Sequence, residues 1–152
     1  MRCTHRDPCQ RSHKSVLVVA QSYANRKGRA EKGIFFGLPH KLINTKKYRS
    51  LSPHAVKLMV DLGSQYRGFN NGDLCLSWSV MEKYGWRSRS TLFKAKNELL
   101  KVEFIINTRQ GGRNRASLFA ITWREINDCN GKLDFDPSKF APGKWLDSND
   151  EK

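Results

Sequence analysis

Residues 85–105 read GWRSRSTLFKAKNELLKVEFI, and this stretch decides the fold. Gly85 indicates a tight turn, and Ser88 is a residue type that caps helix N-termini. Apolar residues then recur at helical spacing, which predicts a helix from Arg89 to about Lys101. The inner face of this helix carries Leu92, Ala95 and Leu99.

A second helix is predicted directly before this turn. Ser77 or Ser79 can cap it, and Ser79 with Glu82 has the spacing of a capping box. The helix should end at Gly85, because glycine readily takes the left-handed conformation that closes helices. Two helices around a glycine turn make a helix-turn-helix candidate.

A strand hairpin is predicted after the turn region. Residues 104–109 and 117–122 are strand candidates, and the loop between them is glycine-rich and basic. The loop carries Arg113, Asn114 and Arg115. Such a tip suits solvent or phosphate better than a core.

Upstream, Ser52 and Pro53 form a helix start, and the apolar stripe that follows predicts a helix to about Tyr66. Residues 73–76 are a short strand candidate, and Pro39 opens a short earlier helix. The resulting order predicts an α+β fold, a winged helix-turn-helix with a three-helix core and a small antiparallel β-wing. We divide the chain into a flexible, disordered basic arm (1–33), a winged-helix domain (34–127) and a C-terminal tail (128–152).

Most of the net positive charge lies in the predicted domain. The chain has 28 Lys and Arg against 14 Asp and Glu, a net charge of +14. Residues 1–33 hold eight basic and two acidic residues, residues 34–127 sixteen and six, and residues 128–152 four and six. A folded region this basic favours a polyanionic partner, and nucleic acid is the expected one.

Metal binding and catalysis find little support in the sequence. A Cys and His set in the N-terminal arm has irregular spacing, so we predict no metal and no cofactor. That set is Cys3, His5, Cys9 and His13. The histidines are scattered without a nucleophile motif, and the acidic pair Asp134 and Asp136 precedes Pro137, which indicates a turn. We therefore predict that the protein is not an enzyme.

Membrane association is not expected either. The apolar run 15–20 is shorter than the core of a signal peptide, and no run approaches the length of a transmembrane helix. Cys75 lies in an apolar run, where a small buried thiol is expected. These features predict a cytoplasmic protein.

The region 85–105 resembles the recognition region of bacterial winged-helix regulators of the MarR and GntR type. Residues 89–92 match the helix-starting motif, Ala95, Glu98 and Leu99 match the helix body, and residues 104–105 match the entry to the wing. Lys96 and Glu103 depart from the pattern, since an apolar residue and a glycine are common there, and the turn is one residue longer. Residues 38–145 as a whole are similar to uncharacterised helix-turn-helix proteins of prophages and other mobile elements.

The resemblance implies binding to double-stranded DNA. The predicted helix from Arg89 to about Lys101, the third helix of the three-helix core, would enter the major groove. There Arg89 could read guanine and Asn97 adenine, while the wing arginines would contact phosphates or the minor groove. The predicted contact residues are Arg87, Ser88, Arg89, Ser90, Thr91, Lys94 and Asn97 on the helix, with Arg109, Arg113, Asn114 and Arg115 on the hairpin.

Several alternatives stay open. A transcriptional regulator of a mobile element is the leading interpretation, a replication initiator or accessory factor of a phage or plasmid is the second, and a winged helix for protein or RNA contact is the third. Phe35, Phe36 and Tyr48 are candidates for a homodimer surface. Trp78 and Trp86 are predicted to pack in the core, the alternative being stacking on single-stranded bases.

Overall fold

The computed structural model describes residues 36–140 and residue 143. This part is an α+β fold with five α-helices and one three-stranded antiparallel sheet, in the predicted order. The helices are α1 (His40–Ile43), α2 (Lys46–Arg49), α3 (Pro53–Gln65), α4 (Trp78–Met81) and α5 (Arg89–Lys101), and the strands are β1 (Leu74–Cys75), β2 (Ile105–Arg109) and β3 (Leu118–Ile121). Short 3-10 helices span Glu82–Tyr84, Cys129–Gly131 and Pro137–Lys139. The predicted basic arm and its Cys and His set lie outside the described residues.

The predicted start of α3 is confirmed. The Ser52 hydroxyl accepts a hydrogen bond from the backbone N–H of Ala55 at 3.2 Å, and Pro53 stands at the first helical position. The buried face of α3 packs on α5 and forms one side of the core. Cys75, expected to be a buried thiol, is 2% exposed.

The predicted capping box at the start of α4 is wrong. Ser77, not Ser79, precedes the first helical residue, and its side chain makes no capping bond. The helix is only four residues long, so Glu82 begins the following 3-10 turn instead of standing in the first helical turn. Gly85 closes this turn in the left-handed region (φ 82°), as the glycine had indicated.

The helix α5 has the predicted bounds and ends in a Schellman motif. The N–H of Phe104 donates to the carbonyl of Leu99, and that of Glu103 donates to the carbonyl of Leu100, each at 3.1 Å. Glu103 therefore adopts φ 61°, the left-handed conformation that favours glycine. This geometry gives a physical reason why glycine is common at the corresponding position of the proteins that this region resembles.

The sheet has the order β1-β3-β2, with β3 in the centre. Asn107 pairs with Phe119 and Arg109 with Leu118, so Thr108 is an extra residue that bulges from β2. The buried Thr108 hydroxyl donates to the carbonyl of Gly72 at 2.6 Å. The bulge thus ties the hairpin to the loop that precedes β1.

Asn71 joins this loop to the chain that follows β3. Its side chain is fully buried, donates to the carbonyls of Ile121 and Glu125 at 2.9 Å, and accepts from the N–H of Ile121 at 2.8 Å. Its backbone exchanges two further hydrogen bonds with Asn127. The amide therefore fixes the position of the end of β3.

Residues beyond the predicted domain boundary at 127 also contact the domain. The backbone N–H of Asp134 donates to the carbonyl of Thr108 at 2.9 Å, and Lys132 forms an ion pair with Asp73. Hydrogen bonds to the body of the fold therefore continue to at least residue 134.

Two residues proposed for a homodimer surface, Phe36 and Tyr48, are partly buried against this chain's own core. The Phe36 ring lies 6.0 Å from the Trp123 ring and covers Gly63, where an added Cβ would stand 2.2 Å from a ring carbon. Tyr48 is partly buried against the core. Both side chains contribute to this chain's own interior, and Phe35 lies outside the described residues.

Replacing Asn71 with Ala should lower the free energy of unfolding by about 3 kcal/mol, because each buried polar group left without a partner costs roughly 1–3 kcal/mol. Urea denaturation of the full chain measures this change. Asn97→Ala removes an exposed amide from α5 and serves as the control, with an expected change below about 0.5 kcal/mol. Equal effects of the two variants would show that the Asn71 network contributes little.

Replacing Glu103 with Gly should stabilise the protein by about 0.5–1 kcal/mol, because relief of the left-handed strain exceeds the added entropy of the unfolded chain. Glu103→Ala removes the same carboxylate but keeps a Cβ, so it should bring no such gain. Thermal denaturation of both variants checks the difference. A similar gain from both would assign the effect to the lost charge.

Candidate nucleic-acid interface

The outward face of α5 is polar and basic. Its exposed residues follow one another at helical spacing, opposite the buried Leu92, Ala95 and Leu99. They are Arg89, Ser90, Phe93, Lys94, Asn97 and Lys101. Of the predicted contact residues, four therefore share one exposed helix face, namely Arg89, Ser90, Lys94 and Asn97.

The side chain of Glu98, the acidic residue of α5, is turned away from this face. Glu98 accepts hydrogen bonds from the backbone N–H and the hydroxyl of Ser52, at 2.6 and 2.7 Å. The contact holds α5 against the N-terminus of α3 and satisfies both carboxylate oxygens. The outward face consequently carries three positive charges, from Arg89, Lys94 and Lys101, and no negative one.

The predicted contact residues at the N-terminus of α5 fall into two groups, those that cap or pack the helix and those that are exposed. Ser88 caps the helix by accepting from the N–H of Thr91 at 3.3 Å, and Thr91 is half-buried. Arg87 and Arg89 are exposed, and the Arg89 guanidinium lies 5.3 Å from the centre of the Trp78 ring. A cation near an aromatic face is stabilised there, so Trp78 helps to orient Arg89.

Trp86 anchors the turn between α4 and α5. Its side chain is buried, as predicted, and its Nε1–H donates to the carboxylate of Asp61 at 2.7 Å. Lys57 donates to the same oxygen at 2.6 Å, and its ammonium lies 5.1 Å from the Trp86 ring centre. Trp78 is only half-buried, at the edge of the core. The turn that presents α5 is thereby fixed to α3.

Phe93 was missed by the sequence reasoning. It is 57% exposed in the middle of the outward face, with the Lys96 ammonium 4.4 Å from its ring centre. A signal was present in the sequence, because Arg89, Phe93 and Asn97 follow one another at a spacing of four residues.

The hairpin arginines differ in their availability. Arg109 is half-buried and donates through Nε and Nη2 to the carbonyl of Ala116, at 3.2 and 3.0 Å. Arg115 forms an ion pair with Asp134 at 3.0 Å, whereas Arg113 is exposed at the tip. The three arginines predicted to contact DNA therefore differ in availability, because Arg109 and Arg115 already bond to other groups of this chain.

The glycine-rich loop closes a tight hairpin. Gly112 and Arg115 exchange two backbone hydrogen bonds, and Asn114 between them has φ 64°. A Cβ on Gly111 would stand 2.7 Å from the backbone nitrogen of Ser117, so only glycine fits there. Gly111 thus serves the close approach of the two strands, and Arg113 and Asn114 form the exposed tip.

The titratable side chains of Cys129, Asp134 and Asp136 are held by their surroundings. The pKa of the Cys129 thiol is raised, chiefly by burial and then by the negative charge of Asp73, which disfavours the reactive thiolate. The predicted acidic pair is already engaged, since Asp134 bonds to Arg115 and the pKa of Asp136 is lowered by hydrogen bonds from Ser138. No group of three or more His, Cys, Asp or Glu in this region could hold a metal ion.

Among the helices that the structure describes, none combines the length and apolar character needed to cross a bilayer. Comparison with known proteins adds no relative: no family model, no curated protein and no solved structure matches the chain.

Proposed function

We propose that this chain binds double-stranded DNA in a sequence-specific manner as a winged helix-turn-helix protein. The observation that carries the proposal is the outward face of α5, which presents three cations and two polar side chains while Glu98 is turned inward to Ser52. Such a face attracts a polyanion, and the polar side chains on the face can form hydrogen bonds with base edges. In this assignment α4 and α5 form the helix-turn-helix and the β2-β3 hairpin is the wing.

The two elements would have different roles in the complex. An α-helix fits the major groove, where each base pair has a distinct pattern of donors, acceptors and methyl groups, so α5 would select the sequence. Arg113 at the hairpin tip is exposed, which suits contact with phosphates or a minor groove. The hairpin would then contribute affinity with little sequence preference.

Within this proposal the protein acts as a transcriptional regulator of a mobile element in the cytoplasm, without a cofactor and without catalytic activity. This role rests on the resemblance of residues 38–145 to helix-turn-helix proteins of prophages. A search of the genome for bound fragments tests it, because a regulator should occupy promoters, whereas a replication initiator should occupy origin repeats.

Changing both Arg89 and Lys94 to Ala should weaken binding to a preferred duplex about tenfold or more, since loss of one good base contact costs roughly 1–3 kcal/mol. Fluorescence anisotropy of labelled duplexes at several salt concentrations measures the dissociation constants. The preferred duplex is first selected from a randomised pool with the full chain. Binding to random duplex should change much less, because phosphate contacts by the hairpin are retained.

Lys41→Ala with Lys46→Ala is the matched control for this experiment. It removes the same charge from exposed positions of α1 and α2, which lie outside the proposed helix-turn-helix and wing, so a loss below about threefold is expected. An equal loss in both double variants would mean that net charge, not the α5 face, determines binding. Absence of saturable binding to any duplex would refute the proposed function itself.

Arg113→Ala should reduce affinity for all duplexes and lower the salt slope by about one, which corresponds to one lost phosphate contact. Arg115→Ala should cost less, because Asp134 already neutralises that guanidinium. In an Asp134→Asn background Arg115 is released from its ion pair, so the loss from Arg115→Ala should rise to that of Arg113→Ala. A larger loss from Arg115 in the unchanged background would assign the main wing contact to Arg115.

A further inference from the structure

The fold does not require the exposed position of the Phe93 side chain. The inner face of α5 is complete with Leu92, Ala95 and Leu99, all buried, and Phe93 lies on the opposite side at 57% exposure. Its neighbours on that side are Arg89, Lys94 and Asn97. A large ring is therefore presented to solvent at the centre of a basic, hydrogen-bonding surface.

The chemistry of the major groove offers one partner for such a ring. Base edges there present nitrogen and oxygen donors and acceptors, and the apolar group among them is the C5-methyl of thymine. Hydrocarbon contact with that methyl removes apolar surface of both partners from water. A cytosine in the same position would face the ring with an unmethylated edge.

We infer that Phe93 contacts the C5-methyl group of a thymine and that this contact contributes to the choice of DNA sequence. The inference rests on the proposed function, since it requires α5 in the major groove. It also extends that proposal, because it assigns an apolar element of recognition to a residue outside the basic set.

The helix geometry orders the contacts along the duplex. Arg89, Phe93 and Asn97 stand four residues apart, and four residues of α-helix rise about 6 Å, which corresponds to about one to two base pairs of the duplex. With the helix in the major groove, the thymine lies about one to two base pairs from the base read by Arg89. The base read by Asn97 lies about as far on the other side.

The test uses deoxyuridine, which differs from thymidine in DNA only by the missing methyl. The full chain first selects its preferred duplex from a randomised pool, and each thymine of that duplex is then replaced by deoxyuridine in turn. We expect about a fourfold loss of affinity at one position, the effect of one buried methyl group. Phe93→Ala should bind the thymine duplex more weakly and should be insensitive to the replacement at that position.

Two variants separate this contact from a general effect. Phe93→Leu keeps an apolar side chain and should retain part of the methyl dependence, whereas Arg113→Ala should bind more weakly yet show the full dependence. Circular dichroism of Phe93→Ala should match the unchanged protein, because the ring is exposed.

The outcomes distinguish the inference from the function on which it rests. A selected duplex whose thymines all tolerate deoxyuridine would overturn the role of Phe93 while leaving DNA binding intact. The same holds if Phe93→Ala retains the fourfold dependence. A failure to bind or select any duplex would refute the proposed function first.

Discussion

The buried amide of Asn71 is the contact on which the attachment of the loop before β1 to the end of β3 depends. It satisfies the N–H and the carbonyl of Ile121 at the end of β3 and also binds the carbonyl of Glu125, while its backbone bonds to Asn127. A polar group with no access to water must be fully paired, so the amide tolerates few other positions of these segments. The loop before β1 and the chain after β3 are thereby held together.

This constraint is needed because β1 has only two residues, too few to be held by its own ladder. Side chains supply the missing bonds. The Gln65 amide exchanges hydrogen bonds with both backbone groups of Cys75, at 2.9 and 3.0 Å, and so takes the place of a neighbouring strand at the outer edge of β1. The Thr108 hydroxyl on β2 adds one further bond, which it donates to the carbonyl of Gly72 in the loop before β1.

Local sequence signals predict most of the helices and strands, whereas the polar contacts between residues far apart in the chain cannot be predicted from them. The bounds of α5 and its buried face follow from Ser88 and from apolar spacing, both of which lie within the helix itself. The pairing of Asn71 with Ile121 and of Glu98 with Ser52 joins residues about fifty positions apart, and nothing in a single sequence marks them as partners. An asparagine in a turn cluster is read as a turn residue, which is the commoner role.

The candidate site is likewise only partly predictable from the sequence, because the positions of the carboxylates decide which basic side chains are available. Arginines and lysines can be listed from sequence, but their availability depends on which acidic groups they meet in the fold. Asp134 pairs with Arg115, Asp61 bonds to Trp86, and Glu98 bonds to Ser52, so these acidic groups serve internal bonds. The outward face of α5 therefore keeps its three positive charges without a compensating carboxylate on the same face, and it owes this to the bond that turns Glu98 toward Ser52.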